Sequence, residues 1–471
     1  MRQLQTDSAR VTAPDGAVGS PATGIPHELA NGSSASRSSN LADVKYQVYD
    51  ILLKELDLPK LQLLKGAELK RNVDDAIVQI LGSYDLPNGI DRPRLIREIG
   101  DEILGLGPLE PLLADPSISE IMVNGPFSVF VERKGLLSPT EATFRDNAHV
   151  VRIIERIVSR LGRRIDESSP MVDARLEDGS RVNAIIPPIA IDGPTVTIRK
   201  FSKRSLKMDD LVAGDALTQP MAIFLKACVE AKTNILVSGG TGSGKTTFLN
   251  ALSASIPPRE RIVTIEDPAE LQLRQPHVVR LETRPMNVEG KGEITQRQLV
   301  RNALRMRPDR IIVGEVRSGE AFDMLQAMNT GHDGSLTTTH ANTPRDALAR
   351  LENMVLMADL DLPIRAIREQ VASAIHLIIQ LSRLRDGSRR ITHVTEVVGM
   401  EGDRVTMQDV FIFTQHGLDP DGKVLGSFQS TGLRPKLADK CEEQGISLPV
   451  GLFLIEQPPS NDRPPARSWS R

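Results

Sequence analysis

The segment that most restricts the fold is a glycine-rich loop between a short apolar run and a helix-like stretch. It reads G-G-T-G-S-G-K-T over residues 239–246 and matches the phosphate-binding pattern G-x-x-x-x-G-K-[ST]. Residues 234–238 before it are β-formers, and residues 247–255 after it follow a helical pattern. Glycines let backbone N–H groups close around phosphate oxygens, and the next helix points its positive dipole end at them. This order predicts a nucleoside-triphosphate site in an α/β domain.

The residues of this phosphate loop have distinct expected roles. Lys245 is expected to neutralise charge on the β- and γ-phosphates, and Thr246 to offer its hydroxyl to Mg²⁺. The expected cofactors are therefore ATP and Mg²⁺. The loop residues predicted to bind the nucleotide are Gly239, Gly240, Thr241, Gly242, Ser243, Gly244, Lys245, Thr246 and Thr247.

Composition limits the number of domains and the kind of partner. The chain has 471 residues, 40% hydrophobic and 25% charged, with a formal net charge of -3. This predicts two or three domains and gives no net basic surface for nucleic acid. Cys228 and Cys441 are too few for a disulfide framework or a zinc cage and fit a reducing compartment. We find no apolar run long enough to span a bilayer and no signal-peptide core, so we expect a cytoplasmic protein able to dock on a membrane complex.

Changes in hydrophobic period divide the chain into segments. Apolar residues recur first at helical spacing and then at strand spacing, and from about residue 211 strand and helix patterns alternate. Such alternation is typical of an α/β sandwich around a largely parallel sheet. The expected order is a disordered tail (1–40), a small helical bundle (41–113), an α+β, PAS-like domain (114–200), a linker (201–207), the α/β domain (208–455) and a second disordered tail (456–471).

Two helix starts in the α/β domain can be predicted from local chemistry. Thr295 and Gln298 have capping-box spacing, in which the side chain of each binds the backbone N–H of the other. Thr343 is a candidate N-cap, because its hydroxyl can accept a hydrogen bond from a backbone N–H of the first turn. Pro344 at the first helical position is a second signal for a helix start.

Two carboxylates end apolar runs within the same domain. Glu266 follows residues 261–265, and Glu315 follows residues 310–314. Carboxylates at the carboxyl ends of parallel strands reach the crevice in which such sheets bind ligands. One would orient or deprotonate a water molecule, and the other would hold the Mg²⁺ shell. The alternative, that both are surface groups that merely end strands, stays open here.

Two histidines bracket a threonine-rich strand, His332 before it and His340 at its end. No cysteine or acidic cluster completes a coordination set, so a histidine metal site is not expected. The sharper hypothesis is a sensor that donates a hydrogen bond to the γ-phosphate. A purely structural histidine is the alternative.

Taken in order, these motifs resemble the secretion ATPase superfamily of type II and type IV secretion and pilus systems. They are the phosphate loop, the box at residues 264–268, the Gly314-Glu315 strand end and the box at residues 331–340. Flanking segments narrow the resemblance to the CpaF-type ATPases of tight-adherence (Tad/Flp) pili: residues 105–113, 162–182, 304–310 and 327–331. The chain lacks the paired CxxC element typical of type II secretion ATPases.

The resemblance implies a RecA-like domain and a homohexameric ring with each nucleotide between domains and beside a neighbouring subunit. It implies that Glu266 is the catalytic glutamate, that Glu315 is the Walker B acid beside Mg²⁺, and that His332 and His340 form a histidine box. It also suggests arginines that reach the γ-phosphate, for each of which a surface ion pair is an equal alternative. These are Arg181, Arg199, Arg280 and Arg284.

The implied function is an ATP-hydrolysing motor that assembles a Tad/Flp pilus from the inner face of the bacterial inner membrane, with retraction as a second action that the resemblance leaves open. It would act on an inner-membrane platform protein and handle pilin only indirectly, with residues 200–207 as a hinge. Two alternatives stay open: a type IV secretion ATPase that exports DNA or effectors, and a nucleotide-gated scaffold without significant turnover. A nucleic-acid motor is disfavoured by the charge balance and the 3% aromatic content.

Overall fold

The structure is a computed structural model that describes residues 44–52, 66–84, 91–133, 135–159, 163–201, 206–286, 290–358 and 360–455. The predicted disordered tails, residues 1–40 and 456–471, lie outside these ranges, as does most of the predicted linker. The chain divides into two compact units, Met1–Glu110 and Pro111–Arg471. No helix in the described part is long and apolar enough to cross a membrane.

The first unit is helical, as the sequence predicts. Residues 44–52 form a helix, followed by α1 (Ala67–Gly82), α2 (Arg92–Leu104) and a 3-10 turn (Gly107–Leu109). Asp91 caps α2 by accepting a hydrogen bond from the Arg94 N–H at 3.1 Å. The helices share one apolar core, built from Val48, Leu52, Val73, Ile77, Leu81, Leu95 and Ile99.

The second unit begins with a six-stranded antiparallel sheet and one long helix. After α3 (Glu110–Ala114), the sheet has the strand order β3-β2-β1-β6-β5-β4. The helix, α4 (Asn147–Ser159), buries six residues on one face, including Ile153 and Ile154. The α+β character is therefore confirmed. The strands are β1 (Ile118–Asn124), β2 (Val129–Arg133), β3 (Leu136–Pro139), β4 (Met171–Arg175), β5 (Arg181–Ile185) and β6 (Thr195–Arg199).

A nine-stranded mixed sheet forms the rest of the unit, in the order β15-β14-β13-β12-β7-β11-β10-β8-β9. The six strands from β12 to β9 pair in parallel, and β13 to β15 add an antiparallel meander. The strands are β7 (Ile235–Gly239), β8 (Ile262–Glu266), β9 (Val278–Glu282), β10 (Arg310–Val313), β11 (Leu336–Thr339), β12 (Leu377–Arg383), β13 (Arg389–Glu401), β14 (Arg404–Leu418) and β15 (Val424–Ser430).

Helices cover both faces of the parallel strands. Successive residues of β7 show this, because Ile235 and Val237 belong to one apolar core and Leu236 to the other. The α/β prediction is confirmed. The helices are α5 (Met208–Ala213), α6 (Gln219–Glu230), α7 (Lys245–Ser253), α8 (Gln296–Ala303), α9 (Glu320–Asn329), α10 (Pro344–Leu356), α11 (Ile364–Ala374) and α12 (Lys436–Glu443).

Both predicted helix starts are confirmed. Thr295 and Gln298 form the reciprocal capping box at the start of α8. The Thr343 hydroxyl accepts from the Asp346 N–H at 3.1 Å, with Pro344 at the first position of α10. Local capping interactions therefore determine where α8 and α10 begin.

The parallel strands give the sheet two chemically different edges. We call the edge at which β7, β8, β10, β11 and β12 end the carboxyl edge, and the edge at which they begin the amino edge. Thr339 lies opposite Ser238, and Val313 opposite Ile265, so these neighbouring strands end level with one another. The residues that follow them are therefore brought together at the carboxyl edge.

Candidate functional site

The phosphate loop joins β7 to α7 at the carboxyl edge, and its glycines are required by geometry. Gly242 and Gly244 have φ values of 69° and 92°, in the left-handed region that other residues rarely adopt. A Cβ atom on Gly239 would lie 2.5 Å from the Ser243 hydroxyl oxygen and 2.6 Å from the Leu381 carbonyl oxygen. The Ser243 hydroxyl donates to the Gly240 carbonyl at 2.8 Å and closes the loop.

Lys245, the first residue of α7, is buried, with 8% of its surface exposed. Its Nζ donates to the carbonyls of Gly239 at 2.9 Å and Gly240 at 3.1 Å. Burial lowers the pKa of this lysine, and the nearby Glu315 carboxylate partly opposes that shift. The ammonium is thus held at the loop, where phosphate oxygens would bring negative charge. Thr246 and Thr247 lie in the same first turn, half-buried and exposed respectively.

Glu266 is the last residue of β8 and is 2% exposed. Its Oε2 accepts hydrogen bonds from the backbone N–H groups of Glu270 at 2.6 Å and Leu271 at 2.7 Å. Its Oε1 is buried and accepts no hydrogen bond of normal geometry among the residues that the structure describes, although the Thr264 hydroxyl is near enough to oppose the rise of its pKa. Burial raises the pKa of this carboxyl group, and the two N–H groups limit the rise. One oxygen is therefore fixed while the other remains able to bind a ligand or a water molecule.

Glu315, Arg317 and His340 form a connected group beside Lys245. Glu315 Oε1 lies 2.9 Å from His340 Nε2, and Oε2 lies 2.9 Å from Arg317 Nη2. The Lys245 Nζ is 3.3 Å and 3.4 Å from the two His340 ring nitrogens. Burial and the Lys245 charge lower the pKa of His340. We therefore assign a neutral ring that donates from Nε2 to Glu315 and accepts from Lys245 at Nδ1.

Gly314, which directly precedes Glu315, leaves room for the buried side chain of Glu266. A Cβ atom on Gly314 would lie 3.0 Å from Cγ of Glu266, tighter than ordinary packing. β8 and β10 are paired neighbours, so a glycine at this strand end leaves room for the buried glutamate. The glycine that precedes the second acid thus has a steric role.

Oxygen donors at this site suit Mg²⁺ better than they suit a transition metal. In the described part of the chain no group of three or more His, Cys, Asp or Glu side chains could hold a metal ion. Thr246 and Glu315 supply a hydroxyl and a carboxylate, which are hard ligands. Glu315 already binds His340 and Arg317, but its carboxylate retains lone pairs for a metal-bound water. The residues therefore fit an ion held mainly by phosphate oxygens and water.

The structure does not bring His332 to this site, in contrast to the expectation of a two-histidine box. His332 precedes β11, whose four residues span about 13 Å. The amides of Gly334 and Ser335 bind the Asn234 side chain, which immediately precedes β7. His332 therefore lies at the amino edge, and His340 alone reaches the phosphate loop.

Three of the four predicted arginines lie within electrostatic reach of the site. Arg181 Nη1 binds Glu270 Oε1 at 2.8 Å. Arg199 Nε lies 3.7 Å from Glu120 Oε1, and the positive charge of Arg199 lowers the pKa of Lys245. Arg280 on β9 opposes the raised pKa of Glu266. The fourth, Arg284, donates to the Gly292 carbonyl at 2.6 Å in the loop that leads to α8.

Sequence reasoning missed four further arginines at or near this edge. Arg317 lies two residues beyond Glu315, so its position next to a predicted strand-end acid was a usable signal. Arg175 binds the segment after Glu266 from the six-stranded sheet. Arg389 Nε donates to the Gly242 carbonyl at 2.9 Å, and Arg383 donates to the Gly135 carbonyl close to the same loop. The last three are distant in sequence from the loop, and no local pattern identifies them.

Comparison with known proteins gives one consistent family. The family described as "Type II/IV secretion system protein" matches residues 102–431, more than half of the 471-residue chain. A putative conjugal transfer protein of Mycobacterium tuberculosis (strain ATCC 25618 / H37Rv) is 40% identical over 313 residues, which cover 65% of this chain and 88% of that protein. Conjugal transfer protein TrbB of Rhizobium radiobacter is 36% identical over 316 residues, covering 66% and 92%.

A similar solved structure is that of the VirB11 ATPase from the Brucella suis type IV secretion system in complex with sulphate. It is 31% identical and covers 61% of this chain and 95% of that chain, with a TM-score of 0.33. On the strength of the family match and of these relatives in sequence, the chain belongs to the type II/IV secretion system protein family.

Proposed function

We propose that this chain hydrolyses ATP and drives a secretion-type machine. One observation carries the proposal: a buried glutamate, Glu266, has one oxygen fixed by two N–H groups and the other unpartnered among the described residues. It lies at the same sheet edge as a phosphate loop whose lysine is buried. A base with a raised pKa beside a phosphate-binding loop is suited to activating water.

The proposed reaction is in-line attack of water on the γ-phosphorus of ATP, which breaks the bond from that phosphorus to the β,γ-bridging oxygen and releases ADP and phosphate. The loop N–H groups and Lys245 bind the phosphates. When phosphate is bound, its oxygens replace the Gly239 and Gly240 carbonyls as acceptors for the Lys245 ammonium. Glu266 orients the water and accepts its proton through Oε1. Bound Mg²⁺, held by Thr246 and Glu315, would neutralise charge on the β- and γ-phosphates.

His340 and the arginines complete the proposed mechanism. His340 contacts both Lys245 and Glu315, so it is placed to sense whether the terminal phosphate is present. Arg181, Arg199 and Arg280 supply positive charge that a phosphate loop lacks by itself, either within one chain or towards a neighbouring copy. Arg284 and His332 are further from this chemistry, because their contacts lie elsewhere.

For the biological system, we propose assembly of a Tad/Flp pilus by a homohexamer at the cytoplasmic face of the inner membrane. Support comes from the CpaF-type flanking segments and from membership of the secretion family. The hexamer would act on an inner-membrane platform protein and handle pilin only through it. The six-stranded sheet domain would move relative to the α/β domain during turnover.

A Lys245→Ala variant tests this function. It should lose steady-state phosphate release by the purified protein and pilus production in cells, because phosphate charge is no longer neutralised. A matched control is Lys226→Ala, a change at an exposed lysine of α6. Normal piliation in cells that carry only the Lys245 variant would refute the motor assignment.

The relatives favour a second candidate, a type IV secretion ATPase that exports DNA or effectors. Two of them, 40% and 36% identical, are named as conjugal transfer proteins. A deletion strain separates the two systems, because one predicts loss of pili and the other loss of transfer. The scaffold alternative predicts ATP binding with no phosphate release above that of a Glu266→Gln variant.

A further inference from the structure

Residues Asp267–Leu271 form a short segment that we call the glutamate cradle. It follows Glu266 directly and folds back, so that the N–H groups of Glu270 and Leu271 both bind Glu266 Oε2. Ala269 and Leu271 are 6% and 1% exposed, so the cradle backbone is packed against the domain. The orientation of the proposed catalytic carboxylate therefore depends on where this segment lies.

Two arginines from the six-stranded sheet bind the cradle. Arg175, the last residue of β4, donates from Nη2 to the Ala269 carbonyl at 2.8 Å. Its Nη1 lies 3.2 Å from Glu282 Oε2 at the end of β9. Arg181, the first residue of β5, binds Glu270 Oε1 at 2.8 Å. One hairpin of the α+β domain therefore holds the cradle from outside the α/β domain.

The two arginines are direct cross-strand partners in the β4–β5 hairpin. Like charges in that arrangement destabilise a sheet unless other groups compensate them. Here the compensating groups are Glu270, Glu282 and a carbonyl, and all three belong to the α/β domain. The hairpin alone lacks these partners, so its charge pattern favours contact with the cradle.

The two contacts differ in what they can control. The Glu270 side chain can rotate without moving its backbone, so Arg181 constrains the cradle only weakly. Glu282 is 42% exposed, so its ion pair with Arg175 contributes little energy. The Arg175 bond to the Ala269 carbonyl acts on the backbone itself, one residue before the first N–H group that holds Glu266. Of these contacts it has the most direct effect on the carboxylate.

We propose that Arg175 is a positioning residue that fixes the cradle and so makes ATP hydrolysis depend on the position of the β4–β5 hairpin. The inference rests on the proposed hydrolytic function. When the hairpin withdraws, Ala269 loses its donor, the two N–H groups shift, and Glu266 no longer aims its free oxygen correctly. Movement of the six-stranded sheet is thereby converted into control of the chemical step.

The test is an Arg175→Gln variant of the full chain. We expect kcat to fall roughly tenfold to a hundredfold, since small misplacement of a reacting group has costs of that size. KM for ATP should stay within about twofold, because Arg175 is not placed in the nucleotide-binding loop. Hydrogen exchange of the Glu270 and Leu271 amides should become faster. Arg175→Lys, which keeps a donor for the Ala269 carbonyl, should recover part of the lost kcat.

The matched control is Arg133→Gln, in the same sheet, because Arg133 pairs with Asp115 of its own domain at 3.2 Å. This variant should leave kcat and cradle exchange unchanged. Unchanged cradle exchange in Arg175→Gln overturns the proposal, with or without hydrolysis. An unchanged kcat in an active protein, or a rise in KM alone, overturns it as well. If the wild-type chain releases no phosphate, hydrolysis itself fails, and the exchange measurement still decides whether Arg175 fixes the cradle.

Discussion

Three buried polar side chains of the nine-stranded sheet, Asn234 and Arg310 at the amino edge and Glu266 at the carboxyl edge, are hydrogen-bonded to different degrees. At the amino edge, Asn234 donates to the Ala374 carbonyl at 2.8 Å and accepts from two backbone N–H groups. Arg310 is fully buried there and binds both oxygens of Glu260, one of them at 3.2 Å. These hydrogen bonds link neighbouring strands, and they occupy most of the donors and acceptors of the Asn234 and Arg310 side chains.

The carboxyl edge leaves bonding capacity unused. Glu266 has a buried oxygen without a partner among the described residues, and Lys245 donates to two loop carbonyls and a histidine ring, which phosphate oxygens would replace as acceptors. An unsatisfied buried group costs stability, so its presence calls for a functional explanation. Asn234 and Arg310 therefore act in the stability of the sheet, whereas Glu266 keeps a buried carboxylate oxygen that can bind a ligand or a water molecule.

The largest effect should come from Glu266→Gln. The amide keeps an acceptor for the Glu270 and Leu271 N–H groups but cannot take a proton from water. We expect kcat to fall by about 10²–10⁴-fold. The melting temperature should hold or rise, because a buried charge has been removed. Phosphate release and thermal melting test both; a large loss of stability would make Glu266 a structural residue and break the comparison.

The converse change at the amino edge is Arg310→Met. It leaves the Glu260 carboxylate, 13% exposed, without its cation. We expect the free energy of unfolding to fall by about 3 kcal/mol, as for other broken buried pairs. The folded variant should keep kcat within about twofold.

Urea denaturation and phosphate release measure the two quantities for Arg310→Met. Adding Glu260→Gln should restore part of the stability, because the unpaired charge is then gone. Loss of hydrolysis in a fully folded Arg310 variant would show that the amino edge also serves the chemistry.

A smaller effect should follow pH at His376, also at the amino edge. Its Nδ1 accepts from the Asn234 N–H at 3.1 Å. Burial, with the Lys440 charge, lowers the pKa of His376 from 6.5 to about 4. The folded pKa lies below the unfolded one, so this contribution to stability is complete above pH 6.5 and is lost as pH falls towards 4.

We therefore expect His376 to account for a loss of about 1–2 kcal/mol in unfolding free energy between pH 7.5 and pH 5. Urea denaturation at the two pH values measures this loss. His376→Gln should show a correspondingly shallower pH dependence over the same interval. An identical pH dependence in that variant would assign the loss to other groups.

Much of the site follows from the sequence because parallel strands share one carboxyl edge. That rule places Glu266, Glu315 and His340 at the carboxyl edge, where the structure has them together with the phosphate loop. The same rule argues against His332, since a strand between two residues puts them at opposite edges. His332 and His340 stand on the two sides of β11, so of the predicted histidine box only His340 lies at the carboxyl edge.

The rest of the site could not be predicted from the sequence, because it is built from contacts between segments far apart in the chain. Arg175 and Arg389 reach the site from other strands, 94 and 147 residues from the atoms they bind. Arginine is common on surfaces, so neither has a local signature. The packing of the six-stranded sheet brings Arg175 to its partner, and the order of strands in the nine-stranded sheet brings Arg389 to the phosphate loop.

Strand β12 has one consequence that goes beyond its place in the sheet. Its Leu381 carbonyl presses against Gly239 so closely that no side chain fits between them. Two residues later, Arg383 donates to the Gly135 carbonyl in the turn between β2 and β3 of the other sheet. A displacement of the turn between β2 and β3 is therefore transmitted through two residues of β12 to Gly239, the first residue of the phosphate loop. Mechanical load can reach a bound nucleotide along this path without involving any catalytic side chain.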